Sequence, residues 1–96
     1  MESNFKMVTH HNSDNLHIKL TGDFDTLAAE TLMKALHRHY KQFKKIFIYT
    51  NCLNSIETAG TQAFQHGYDL PFDGMNSIVF TGEHAGHIAP YAWQVM

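Results

Sequence analysis

Leu16, Ile18 and Leu20 alternate with His17 and Lys19, which is the period of a strand with one face in a core and the other toward solvent. A weaker strand is predicted over Phe5-Lys6-Met7-Val8. Between them, Asn12-Ser13-Asp14-Asn15 reads as a turn, because short polar side chains bond nearby backbone and tolerate left-handed geometry. The two segments form an N-terminal hairpin. The pattern then changes period. Ala28, Leu32, Ala35, Leu36 and Phe43 recur at helical spacing, with Glu30, Lys34, Arg38 and Lys41 mostly on the opposite side. Asp25 or Thr26 supplies the oxygen that caps this helix. Ile46-Phe47-Ile48-Tyr49 is a near-continuous apolar run, as expected for a strand buried on both faces. A second helix is predicted from near Thr58 to about His66, with Gly67, Pro71 and Gly74 marking its end and the loop beyond. Ser77-Ile78-Val79-Phe80-Thr81 reads as another buried strand, and Gly82, Gly86 and Pro90 leave room only for a short last helix.

The order is therefore β-β-α-β-α-β with a short tail. Strands separated by helices pair in parallel through right-handed crossovers. The fold class is α/β: a mixed sheet of about four strands, parallel in its central part, with helices packed on it. Residues 1–96 are expected to form one domain, a length that suits a single core.

Composition narrows the function classes. Hydrophobic residues make up 44% of the chain, enough for a core and against disorder. The formal net charge of -2 argues against a dedicated nucleic-acid binder. No apolar run is long enough to span a bilayer, and no secretory leader is visible at the N-terminus, so a cytoplasmic location without membrane insertion is the expectation. Cys52 is the only cysteine, which excludes a disulfide framework.

Two motifs carry the functional signal. One is Leu20-Thr21-Gly22-Asp23-Phe24-Asp25, a strand end that turns into a helix. The other is Ser55-Ile56-Glu57-Thr58-Ala59-Gly60, which groups an acid, a hydroxyl and a glycine at the start of the second helix. Together they resemble the STAS family (sulfate transporter and anti-sigma factor antagonist domains), over roughly residues 16–82. The second motif is similar to that family's Ile-Asp-Ser-Ser-Gly loop. Glu57 falls on the acid, Thr58 on the phosphorylated serine, Ala59 on the second serine and Gly60 on the glycine, while Asp25 matches the functional acid of the first motif. The resemblance implies a STAS-like domain acting as a regulatory protein-binding module with no catalysis of its own and no cofactor. Its partner would be a bacterial anti-sigma factor or switch-protein kinase, bound through Asp25, Glu57, Thr58, Ala59 and Gly60. Phosphorylation of Thr58 would turn binding off and so regulate transcription. The rival reading is a constitutive STAS subunit of another complex, for example beside an ABC transporter ATPase, with Thr58 unmodified. The resemblance leaves the oligomeric state open. Tyr49 stands where the family often carries an aspartate, and Thr61 where it usually has a large aliphatic residue.

The local chemistry agrees with a switch and equally with plain structure. Free N–H groups and the positive dipole end at a helix start would tolerate a phosphate on Thr58. The same hydroxyl would serve as an ordinary helix cap, and Asp25 and Gly60 as a cap and a packing position. The chain has 8 histidines, among them the adjacent pair His10 and His11, the i, i+2 pair His37 and His39, and the i, i+3 pair His84 and His87. A zinc site needs three or four converging ligands, commonly with thiolates, so solvated histidines are expected over a histidine-based metal protein. The basic run from Lys34 to Lys45 reads as a solvated helix face, Cys52 as a packed or idle thiol, and Tyr91 and Trp93 as covers for the sheet.

Overall fold

The computed structural model describes residues 4–67, 77–90 and 93–96; the loop expected around Pro71 and Gly74, and Tyr91, lie outside them. The hairpin is present. Strand β1 (Lys6–Asn12) pairs antiparallel with β2 (Asn15–Phe24), closing on Asn12 opposite Asn15. Ser13 adopts φ 43° in the turn between them, the geometry that a short polar residue accepts most readily.

Helix α1 (Thr26–His39) begins where Asp25 accepts a hydrogen bond from the Ala28 amide at 2.8 Å. Of the two caps the sequence offered, Asp25 is the one used. The helix buries Ala28, Ala29, Leu32 and Leu36. It ends before Lys41, so His37, Arg38 and His39, rather than the following lysines, form its basic last turn, and Phe43 packs on the core from beyond the helix.

Strand β3 (Lys45–Tyr49) then returns parallel to β2, with Leu16 opposite Ile46 and Ile18 opposite Ile48. At Thr50 the chain leaves that line. The Thr50 amide and hydroxyl both donate to the Thr81 carbonyl, at 3.0 and 2.8 Å, and the hydroxyl accepts from the His84 amide. The Leu53 amide donates to the Thr50 carbonyl, turning the chain into β4 (Leu53–Ile56). Strand β4 takes over from β3 as the parallel neighbour of β2, pairing with Gly22, Asp23 and Phe24 across a register shift. Helix α2 (Thr58–Gly67), strand β5 (Ile78–Thr81), the single turn α3 (Ala85–Ile88) and the two-residue strand β6 (Gln94–Val95) complete the described elements. The sheet order is β1-β2-β3-β5-β6, with β4 beside β2, and every pairing except β1–β2 is parallel.

The α/β class and the mixed sheet match the sequence reading, but the strand count differs. The four expected strands are present, and β4 and β6 are additional. Neither has the apolar pattern of a strand: β4 reads Leu-Asn-Ser-Ile and β6 has two residues, so both exist through backbone pairing. The core fills one side of the sheet. Leu16, Ile18, Leu20, Ile46, Ile48, Ile78 and Phe80 pack with α1, α2 and α3. Phe64 of α2 sits at the centre of an aromatic cluster, edge-on to Phe24, Phe80 and Trp93 at 5.8–6.4 Å between centroids.

One expectation is overturned. Strand β3 is not buried on both faces: Ile46 and Ile48 are buried, whereas Phe47 is half-buried and Tyr49 is exposed. The apolar run contains two rings that face away from the helices, and hydrophobicity alone does not distinguish that side from a core.

Candidate functional site

Both sequence motifs meet at the ends of β2 and β4. The Glu57 amide donates to the Phe24 carbonyl at 3.0 Å, tying the exit of β4 to the exit of β2. The Glu57 carbonyl then accepts from the Thr61 amide at 3.1 Å, which is the first bond of α2. Glu57 therefore holds the capping position and Thr58 is the first helical residue.

This corrects the expectation that Thr58 caps the helix. Its hydroxyl has no hydrogen-bond partner among the described residues, and its carbonyl accepts the Thr61 hydroxyl at 3.0 Å. Glu57, Thr58 and Ala59 are all exposed, and together they form the tip of the helix. An acid at this end is favourably placed against the helix dipole.

Gly60 is buried directly beneath that tip. A Cβ built there would lie 2.5 Å from the Phe24 carbonyl oxygen and 2.8 Å from the carbonyl carbon and oxygen of Asp25. The first turn of α2 therefore rests on the chain segment that caps α1. Asp25, half-buried, spends one carboxylate oxygen on the Ala28 amide. The structure thus brings Asp25, Glu57, Thr58, Ala59 and Gly60 to one corner of the fold.

Sequence reasoning missed three members of this corner. Ser55 donates its hydroxyl to Asp23 at 2.7 Å, and the Asp23 amide donates to the Asn4 side chain at 2.9 Å. The signal was the parallel pairing of Asp23 with Ser55, invisible because Asn54 and Ser55 read as loop. Among the described residues, no group of three or more His, Cys, Asp or Glu side chains is arranged to hold a metal ion. His84 and His87 lie 6.5 Å apart between ring centroids, and His84 contacts Glu83 at 3.3 Å. Cys52 is exposed, not packed.

No protein-family model and no curated protein sequence matches the chain. Solved structures do. The anti-sigma factor antagonist SpoIIAA, in its unphosphorylated form, superposes with a TM-score of 0.55 over 96% of this chain and 86% of its own, at 12% identity. The fold is SpoIIAA-like. A second example of the SpoIIAA-like fold, an uncharacterised protein of the DUF3478 family from Shewanella loihica, superposes with a TM-score of 0.52 over 100% of this chain and 90% of its own, also at 12% identity. The SpoIIAA-like fold agrees with the STAS-like architecture implied by the two motifs. Among the described residues, no helix is long and apolar enough to cross a membrane.

Proposed function

We propose that this SpoIIAA-like domain is a non-catalytic regulatory module that binds a protein partner through the tip of α2. Asp25, Glu57, Thr58, Ala59 and Gly60 form the docking corner, and the Thr58 hydroxyl is the phosphate acceptor. The partner class is an anti-sigma factor or switch-protein kinase in the cytoplasm of a bacterium. The observation that carries this reading is the Thr58 hydroxyl, without a hydrogen-bond partner among the described residues and exposed on a helix N-terminus whose backbone is pinned by Gly60 and Glu57. A hydroxyl with no structural bond can take a phosphate without losing one, and the free amides of the first turn help to accommodate the charge. Roughly two negative charges beside Glu57 and Asp25 would then repel a surface fitted to the unmodified corner.

A second reading, a constitutive subunit with Thr58 never modified, draws support from Tyr49. It stands where the family often has an acid, and its hydroxyl is 2.8 Å from the His17 ring on the far side of the sheet. Affinity for a partner co-purified from the native host separates the two. Thr58→Glu weakens binding at least tenfold under the switch reading while Thr58→Ala binds like the parent. Equal affinity for Thr58→Glu and the parent sinks the switch and leaves the constitutive subunit.

A further inference from the structure

The face of the sheet turned away from the helices is not bland. Pairing register places Lys6, Val8 and His10 of β1, His17, Lys19 and Thr21 of β2, and Lys45, Phe47 and Tyr49 of β3 on one side. The rings form a connected group across three strands. His17 stacks on Phe47 at 5.3 Å and 15°, and on Tyr49 at 5.7 Å and 19°, and His10 lies 6.5 Å from His17. The His17–Tyr49 hydrogen bond fixes the two rings relative to each other. Tyr49 is 37% exposed and Val8 58%.

Around the rings stand Lys6, Lys19 and Lys45, none of which makes an ion pair among the described residues. No acid shares the outward positions of β1, β3 and β2 up to Thr21. Among the described residues, the two acids that flank β2 in sequence are engaged elsewhere: Asp14 with Lys44, and Asp23 with Ser55. The net charge of -2 for the whole chain conceals this asymmetry.

We infer that this ring-and-lysine face binds single-stranded nucleic acid, with bases stacking on Tyr49 and Phe47, which His17 holds in place, and phosphates meeting Lys6, Lys19 and Lys45. Exposed rings on a sheet offer sequence-tolerant stacking for unpaired bases, and surrounding ammonium groups track the backbone. Charge decides among occupants. A second copy of the chain would set three lysines against three lysines, whereas a polyanion with planar groups satisfies both components of the face. The inference is independent of the α2 corner, since α2 packs on the opposite side of the sheet through Phe64.

The test is fluorescence anisotropy of labelled short oligothymidylate, with a DNA duplex and polyglutamate as comparison probes. The expected dissociation constant for oligothymidylate at low salt is on the order of 10–100 μM. Three lysine–phosphate contacts predict a slope of roughly -2 in log affinity against log salt, falling by about 0.7 in Lys19→Ala. Tyr49→Ala and Phe47→Leu should each weaken binding about tenfold, with unchanged circular dichroism. Absence of oligothymidylate binding overturns the inference. So does duplex binding that equals single-strand binding while the ring variants have no effect. Equal affinity for polyglutamate, indifferent to Tyr49→Ala, overturns it in favour of an acidic protein partner.

Discussion

Replacing Gly60 with alanine adds one methyl group to a space that holds backbone. The new Cβ would lie 2.5–2.8 Å from three main-chain atoms of Phe24 and Asp25, roughly 0.6–0.9 Å inside ordinary van der Waals contact. None of these atoms is the flexible end of a side chain. The Phe24 carbonyl also accepts the Glu57 amide, and Asp25 caps α1, so moving either disturbs a second contact. Two effects of the substitution oppose each other. Alanine is a better helix former than glycine by about 1 kcal/mol in a helix interior, and by less in the first turn, where Gly60 sits. Overpacking against a rigid neighbour costs about 1–3 kcal/mol and wins here. Subtracting the propensity gain leaves a net loss of about 1–2 kcal/mol, a fall of roughly 5–15 °C in melting temperature for a domain of this size. Gly86→Ala is the matched control. Its Cβ would meet nothing within 4 Å, so propensity acts alone, and Gly86→Ala should melt a few degrees higher than the parent. Thermal and urea unfolding of both variants, followed by far-ultraviolet circular dichroism, reads the difference. If Gly60→Ala is as stable as the parent, the close seating of α2 on the Phe24–Asp25 backbone does not constrain the fold, and the rigidity argued for the corner falls with it.

Asp25→Ala removes the side-chain cap of α1 and should cost about 1 kcal/mol, read as a lower urea midpoint with an unchanged slope. Thr50→Val removes a buried hydroxyl that donates to Thr81 and accepts from His84; it should cost about 1–3 kcal/mol by equilibrium unfolding, and a neutral result would deny that this link steers β3 into β4. Phe64→Ala opens a cavity among Phe24, Phe80 and Trp93 and should cost about 3–5 kcal/mol, enough to unfold a marginal domain at moderate temperature. Chelator should leave the circular-dichroism spectrum and melting temperature unchanged, because no metal-ligand cluster exists among the described residues; loss of folded signal would show a metal requirement.

Much of the fold was readable wherever side-chain pattern and burial coincide. The alternation around Ile18, the helical spacing of Leu32 and Leu36, and the runs at Ile46 and Ile78 all report one buried face. What stayed hidden depends on backbone. Strand β4 pairs through main-chain groups while carrying Asn54 and Ser55, so no pattern announces it. The Ser55–Asp23 contact was hidden with it. The acid-hydroxyl-glycine grouping was visible as a string, but the string does not say which residue caps. The carbonyl of Glu57 takes that role, and the Thr58 hydroxyl has no bond to any other described residue. Phe47 and Tyr49 show the converse limit: an apolar run records hydrophobicity without recording which side is covered.

The bond from Glu57 to Phe24 has a kinetic consequence. The α2 tip is fastened at its base to Phe24, the last residue of β2, and the ring of that same residue is buried against Phe64. Its backbone is therefore ordered before anything touches it. Recognition of such a surface loses little conformational entropy. Encounters would need orientation but not rearrangement, giving association rate constants of about 10⁵–10⁷ M⁻¹s⁻¹. Differences between partners, or between modified and unmodified forms, would then appear mainly as differences in how long each complex lasts.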